Sequence, residues 1–121
     1  MRRLNTGYQD GQYGLPSGHL EDNESISHGL CREVKEEIGV FIKPSDLSLV
    51  HVMHRKETDI RVDLFFVATK IKGTPVNAEP DKCDDLQWFR LDKLPKNTIG
   101  YVKQAINNYL KGKIYSEIGW N

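Results

Sequence analysis

The stretch GHLEDNESISHGLCREVKEEIGV, residues 18–40, decides how this chain folds. It begins on a glycine, nearly ends on another, and holds six of the seventeen acidic residues of the protein. Within it, apolar residues recur every four positions, as is typical of an amphipathic helix, at Ile26, Leu30, Val34 and Ile38. We therefore expect a helix from Asn23 to about Ile38, capped by Asn23 or Ser25 at its start and ended by Gly39.

Three glutamates on this helix lie close enough for their negative charges to need a compensating partner. Glu33 and Glu37 lie one turn apart on a helix, and Glu36 flanks them. Like charges at this spacing repel one another by roughly 0.2–0.5 kcal/mol per pair when exposed. A divalent cation such as Mg²⁺, which prefers oxygen ligands and is often shared with substrate phosphates, would compensate. The segment REVKEE alone also fits a solvated helix face with an Arg32–Glu36 ion pair.

The spacing of the residues favours the first interpretation. The order is Gly18, five residues, Glu24, seven residues, Arg32-Glu33-Val34, one residue, Glu36-Glu37, one residue, and Gly39-Val40. It resembles the Nudix box, G-x5-E-x7-R-E-U-x-E-E-x-G-U with U aliphatic, at every fixed position. YGLPSGHLE resembles the family's W-x-x-P-G-G segment, with Tyr13 as the aromatic and Ser17 for the first glycine. EPDKCDDLQWFRLDKLP resembles a later segment, so the likeness to Nudix hydrolases, and to their MutT-like branch, covers about residues 13–95.

The rest of the chain predicts an α/β sandwich around a mixed sheet, of the Nudix type that the resemblance implies. The expected strands are a short one near 13–15 and the segments LSLVHVMHR, IRVDLFFVATKI and LQWFRL, and a second helix is expected in LPKNTIGYVKQAINNYLKG. One domain, residues 1–121, fits the length. MRRLN resembles only the tail of the family's N-terminal strand, which is therefore shortened or missing. An uncovered sheet edge favours pairing with a second copy, hence a homodimer.

The resemblance implies a chemistry and assigns roles to the box. In Nudix hydrolases, water attacks phosphorus in a nucleoside diphosphate linked to another moiety, and Mg²⁺ or Mn²⁺ stabilises the charge. Glu33 and Glu37 would be the principal metal ligands, and Glu36 a further ligand or the base that orients water. Arg32 would pair with Glu24 or Glu33 and hold it in its ligating rotamer.

Four residues around the box also gain a role from the resemblance. The carbonyl of Ser17 would complete the metal shell, and Gly18 would permit the tight loop that leads into the helix. Glu79, about forty residues after the box, matches a metal-binding glutamate of MutT-like members. His19 lies beside the expected phosphate site.

Aromatic residues are the candidates for stacking on a nucleobase. Tyr8, Tyr13, Phe65 and Trp88 could each do so, although aromatics in or near strands are more often core residues.

The choice of substrate depends on two signatures of related groups, and both are missing. ADP-ribose pyrophosphatases typically have a proline about fifteen positions past the box, where this chain has Arg55. Dinucleoside polyphosphate hydrolases typically have a tyrosine sixteen to eighteen positions past it, where this chain has Lys56, Glu57 and Thr58. By elimination, nucleoside triphosphates are the favoured substrates, including oxidised ones such as 8-oxo-dGTP. They would be cleaved to the monophosphate and pyrophosphate. Hydrolysis of another nucleotide derivative (ADP-ribose, a nucleotide sugar or a dinucleoside polyphosphate) and a non-catalytic nucleotide-sensing module stay open.

Composition excludes some partners. Seventeen Lys and Arg balance seventeen Asp and Glu, which argues against binding to duplex nucleic acid. The longest largely apolar run, VDLFFVA, is far too short to span a bilayer, and the N-terminus lacks the apolar core of a signal peptide. Cys31 and Cys83 belong to no CxxC pair and are expected to be reduced thiols. These features predict a cytoplasmic protein with no membrane partner.

Overall fold

The computed structural model describes residues 1–120, which form two α-helices and five strands. In chain order the elements are β1 (Arg2–Arg3), α1 (Ile26–Ile38), β2 (Leu47–Lys56), β3 (Ile60–Ala68), β4 (Cys83–Asp85), α2 (Gly100–Leu110) and β5 (Tyr115–Ile118), and a 3-10 turn over Pro44–Asp46 precedes β2. None of these helices has the length and apolar character that crossing a bilayer requires.

The main sheet is mixed, as predicted. β2 lies at its centre, antiparallel to β3 with Val52 opposite Leu64, and parallel to β5 with Val52 opposite Tyr115. β1 and β4 form a separate antiparallel ladder in which Arg2 faces Asp85. β2 has a partner on both sides only from Val52 to Arg55, so the backbone of this segment can form hydrogen bonds in both directions.

Local signals fix the ends of α1. The Oγ atom of Ser25 accepts a hydrogen bond from the backbone N–H of His28 at 3.2 Å, so Ser25 rather than Asn23 is the N-cap. Gly39 ends the helix with a φ of 72°, and its N–H donates to the carbonyl of Lys35. On the buried side, Val34 packs in a core cluster with residues from the segment that follows the helix.

The second helix covers one face of the sheet. Ile99, Val102 and Ile106 form its own core cluster. The guanidinium of Arg55, a buried residue of β2, lies 3.8 Å from the ring centroid of Tyr101 on this helix. α2 therefore packs on the face of β2 that carries Arg55.

Two expected strands are not formed. Near residues 13–15 there are only two isolated bridges, from Tyr13 to Arg2 and to Thr98. Residues 86–90 are irregular, and the strand lies just before them at Cys83–Asp85. Side chains of 86–89 instead line a cavity, a use that the apolar pattern of LQWFRL did not distinguish from a strand. β5 was not predicted, because its four residues become a strand only by pairing with β2.

Candidate active site

Arg32 gathers the carboxylates at one side of α1. Its guanidinium lies 2.7 Å from Glu24, 2.8 Å from Glu33, 3.2 Å from Glu36 and 3.5 Å from Glu21. The contact with Glu24 is bidentate, since Nε and Nη2 donate to separate carboxylate oxygens. Hydrogen bonding from Arg32 lowers the pKa of Glu24 to about 2, and the same contact raises the pKa of Arg32. Both box carboxylates that the sequence offered as partners of Arg32 therefore contact it.

The loop before α1 is fastened to the helix by the same residues. Glu24 accepts a hydrogen bond from the backbone N–H of Glu21 at 2.8 Å, and Nη2 of Arg32 donates to the carbonyl of His19. Gly29 belongs to this arrangement although the sequence analysis did not single it out. A Cβ on Gly29 would lie 2.5 Å from Leu20 and 2.9 Å from an oxygen of Glu24. Gly29 lies at one of the variable positions of the box, between Glu24 and Arg32, so the motif does not predict this close approach.

Gly18 gives room to Glu33. A Cβ at Gly18 would overlap the Glu33 carboxyl group, so the loop can pass over this side chain only because residue 18 has none of its own. Glu33 is thus held between the backbone of Gly18 and the guanidinium of Arg32.

Glu37 lies at the other end of this cluster of glutamates. One of its oxygens accepts a hydrogen bond from the backbone N–H of Ser17 at 3.0 Å. Burial raises the pKa of Glu37 to about 7, with further contributions from the negative charges of Glu33 and Glu79, opposed by the Ser17 hydrogen bond. Backbone contact brings the Glu79 segment here, because the N–H of Ala78 donates to the carbonyl of Glu37 at 3.1 Å.

The donor groups fit a divalent cation. Every ion pair among residues 1–120 is made by an arginine, and none includes Glu37, so this carboxylate is partly buried without a positive partner. Carboxylate oxygens are the ligands that Mg²⁺ and Mn²⁺ prefer. As the side chains of residues 1–120 stand, no three acidic, histidine or cysteine groups converge on one point, since Arg32 holds Glu33 and Glu36. Ser17 contacts Glu37 through its backbone N–H, and its carbonyl stays a predicted metal ligand.

An apolar cavity of about 320 Å³ opens beside these carboxylates. It starts next to Glu37 and Ser17, since Ile38 and Pro16 are among its walls. Its other walls include Tyr13, Leu86, Gln87, Trp88, Phe89 and Leu94. The size lies within the roughly 300–1,000 Å³ of small-molecule sites.

Two of the four aromatic candidates line this cavity. The hydroxyl of Tyr13 donates to Asp85, and its ring meets Phe89 edge-on with centroids 5.0 Å apart. Trp88 is 78% exposed at the wall of the cavity, so most of its side chain is accessible to a ligand. Gln87 donates to Asp85 as well, which gives the cavity a small polar group. Gln87 was missed because its segment, LQWFRL, was predicted as a strand.

The other two candidates lie elsewhere. The hydroxyl of Tyr8 donates to Glu57 next to Arg55, and the ring of Phe65 is 6.1 Å from that of His51. Neither lines the cavity, because hydrogen bonds with Glu57 and Arg55 hold Tyr8 elsewhere and Phe65 lies beside His51, its cross-strand partner on β2.

Comparison with known proteins agrees with the fold described above. The NUDIX domain family model matches residues 1–108. A crystal structure described as a MutT NUDIX hydrolase from Burkholderia pseudomallei superimposes with a TM-score of 0.79, at 28% identity over 88% of this chain and 82% of that one.

Three curated proteins are similar in sequence. They are the NAD-capped RNA hydrolase NudC of Stutzerimonas stutzeri (26% identity, 85% of this chain and 35% of that protein), the ADP-ribose pyrophosphatase of Methanocaldococcus jannaschii (28%, 93% and 65%) and the oxidized purine nucleoside triphosphate hydrolase of Mus musculus (29%, 74% and 56%). This chain thus spans between 35% and 65% of the length of these relatives.

Proposed function

The chain belongs to the Nudix family, and we propose that it is a metal-dependent hydrolase of a nucleoside diphosphate linked to another moiety. One observation carries the proposal. Glu37 is a partly buried carboxylate that forms no ion pair with any of residues 1–120, lies close to the charges of Glu33 and Glu79, and adjoins an apolar cavity large enough for a base. A divalent cation bound by these three residues would remove their mutual repulsion and attract a diphosphate.

The reaction breaks one bridging P–O bond. The oxygen of water bonds to one phosphorus, the bridging oxygen leaves with the other phosphate, and the proton passes to a base. When bound, a divalent cation neutralises the diphosphate and acidifies the attacking water. Glu36, with 54% of its side chain exposed, can accept the proton at a carboxylate oxygen. Arg32 keeps Glu33 in place and so acts as a positioning residue.

For the substrate, we propose a nucleoside triphosphate, including oxidised purine forms, cleaved to the monophosphate and pyrophosphate. The cavity supports this choice, since a base can lie against Trp88 and Tyr13 while the phosphates extend past Ser17 to Glu37. The missing signatures at Arg55 and at 56–58 also favour it. The similar protein named as an oxidized purine nucleoside triphosphate hydrolase is consistent with this choice, whereas the one named as an ADP-ribose pyrophosphatase makes ADP-ribose the first competitor.

A substrate screen tests the proposal. The protein is incubated with Mg²⁺ and each of a set of nucleoside triphosphates, 8-oxo-dGTP, ADP-ribose, nucleotide sugars and dinucleoside polyphosphates, and the products are separated by ion-exchange chromatography. We expect pyrophosphate release from one or more triphosphates. Nucleotide binding without turnover of any compound would instead indicate a sensing module and contradict the hydrolase.

We also propose that the protein forms a homodimer through β3. Ile60, Val62 and Leu64 are exposed on one face of this strand, and β3 is an edge strand of the main sheet. A formal net charge of zero means that two copies do not repel each other overall. Sedimentation at micromolar concentration should give a dimer that Val62→Lys dissociates, whereas a wild-type monomer of 13.9 kDa would refute the proposal.

The cellular location is proposed to be the cytoplasm. Cys31 and Cys83 are both free thiols, which is usual where the environment is reducing. Fractionation of cells expressing the natural protein would test this location, and recovery from an extracellular or membrane fraction would contradict it.

A further inference from the structure

The segment that follows β3 has an unpaired backbone edge, which we call the Ile71 edge and define by residues 69–72. On one side this segment meets the chain that follows α1, where Phe41 and Lys72 exchange two backbone hydrogen bonds of 2.9 and 2.8 Å. Because Lys72 directs its N–H and C=O toward Phe41, its neighbour Ile71 directs its own N–H and C=O to the opposite side. Ile71 lies outside the strands, and neither group has a backbone partner among residues 1–120. Residues 69–74 are all exposed, so solvent reaches this edge.

Positive charge borders the Ile71 edge. Lys70 and Lys72 flank Ile71, and Lys43 lines the same groove of about 250 Å³. All three lysines are exposed, and none forms an ion pair with another of residues 1–120. Asp46 is the single carboxylate among the residues that line the groove, which therefore has a net positive charge in a protein that is neutral overall. The local field favours an acidic ligand.

Charged and apolar side chains alternate along this edge. Ile71 is 41% exposed and lies between Lys70 and Lys72. In a strand, successive side chains point to opposite faces, and side chains that lie opposite each other on neighbouring strands interact. A strand that pairs with the Ile71 edge would therefore match it best with acidic side chains opposite the two lysines and an apolar side chain opposite Ile71.

We propose that the Ile71 edge binds an extended acidic peptide segment of a partner protein, which adds to it as a further strand. Hydrogen bonds to the N–H and C=O of Ile71 would supply affinity, and carboxylates beside Lys70 and Lys72 would select an acidic sequence. The unpaired backbone groups favour a peptide over a nucleic acid or an anionic lipid surface, since neither of those presents the alternating donors and acceptors of a strand. The inference goes beyond the proposed hydrolase function and does not depend on it.

The lysines disfavour a second copy of this chain as the occupant. Two copies paired edge to edge through Ile71 would place Lys70 and Lys72 of one copy opposite those of the other. Like charges directly opposite each other destabilise a strand pair, and lysines on an edge are one means by which proteins avoid pairing with themselves. An acidic strand from another protein converts the same repulsion into attraction.

Backbone pairing is tested with N-methylated peptides. The parent probe is a fluorescently labelled heptapeptide in which glutamate alternates with valine, and its binding is measured by anisotropy. One derivative is methylated at the glutamate amides and another at the valine amides, so that both keep the charge and each lacks the backbone donors of one side. An added strand turns only one of its sides to Ile71. We therefore expect one derivative to bind about tenfold more weakly than the parent, and the other to bind equally well.

Selection by charge is tested with two double variants. The edge variant is Lys70→Gln with Lys72→Gln. The matched control removes the same charge from exposed lysines of α2 and its C-terminal end, as Lys103→Gln with Lys111→Gln. We expect the edge variant to bind the parent peptide about fivefold more weakly or worse, and the control to bind it as the wild type does. Circular dichroism should be unaltered in both variants.

Four results would overturn the proposal. They are equal binding of the parent peptide and both methylated derivatives, equal losses of affinity in the two double variants, and displacement of the peptide by a single-stranded oligonucleotide or anionic vesicles at lower concentration than by unlabelled peptide. The fourth is failure of the wild-type protein to bind the peptide, which would mean that the lysines only protect the edge from other strands.

Discussion

Arg32 and Glu24 form a two-point ion pair in which Nε and Nη2 of the guanidinium donate to the two carboxylate oxygens at 2.9 and 2.7 Å. The pair joins the loop before α1 to the middle of the helix, and the same guanidinium contacts Glu33. Bidentate contacts of this kind fix geometry more strictly than a single hydrogen bond. The carboxylates of the site are therefore positioned by a residue that need not touch the substrate.

Replacement of Glu24 by Gln should destabilise the protein in a pH-dependent way. The pKa of Glu24 is lowered to about 2 by Arg32 and by the N–H of Glu21, below its ordinary value of 4.5. Its stabilising contribution is therefore complete above pH 4.5 and is lost as the pH falls through about 2. Urea unfolding should show Glu24→Gln to be less stable than the wild type at pH 7, with a smaller difference at pH 3. Glu21→Gln is the matched control, and an equal difference at both pH values would contradict the prediction.

Replacement of Glu37 by Gln should lower kcat by about 10²-fold or more. The change removes a proposed metal ligand and no core atom, so circular dichroism should be unaltered. Glu117→Gln, which removes an exposed carboxylate of β5, should keep the normal rate. A Glu37→Gln protein with a near-normal rate would mean that this helix is only a charged surface.

Removal of divalent cations should abolish turnover, and Mg²⁺ or Mn²⁺ should restore it. A ligand that binds only the folded state also raises its melting temperature. Mg²⁺ should therefore raise the Tm of the EDTA-treated wild type and raise that of Glu37→Gln much less. Full turnover in EDTA would exclude the proposed chemistry.

Replacement of Gly18 by Ala should lower kcat by about tenfold or more. The added Cβ would overlap the carboxyl group of Glu33, which must then leave its place beside Arg32. Gly100→Ala is the matched control, since nothing lies within 4 Å of a Cβ there. Initial rates of both variants at saturating nucleotide and Mg²⁺ would decide, and similar rates would show that the Gly18 contact does not matter for catalysis.

Replacement of Trp88 by Ala should raise KM more than it lowers kcat. Loss of one stacking contact corresponds to about 1–3 kcal/mol, or roughly 5- to 150-fold in KM. Tyr8→Phe, outside the cavity, should leave both constants unchanged. An unchanged KM for Trp88→Ala would place the base somewhere else.

The sequence alone determined α1 and its charged side. The signals that define it are apolar residues at every fourth position, a serine cap and a terminal glycine. Each acts over a few residues, so the bounds of this helix could be predicted within a turn. The box spacing likewise placed Glu33, Glu36 and Glu37 on one helix with Arg32 among them. Such features need no partner from elsewhere in the chain.

Tertiary structure alone decided which distant segments meet. β5 is a strand because it pairs with β2, about sixty residues earlier, and no pattern within four residues carries that information. In the same way, contact between Ala78 and Glu37 brings Glu79 near the site, and the cavity is lined by residues that range from Met1 to Ile106 along the chain. Long-range packing sets these arrangements, and it depends on the shape of the whole core rather than on local spacing.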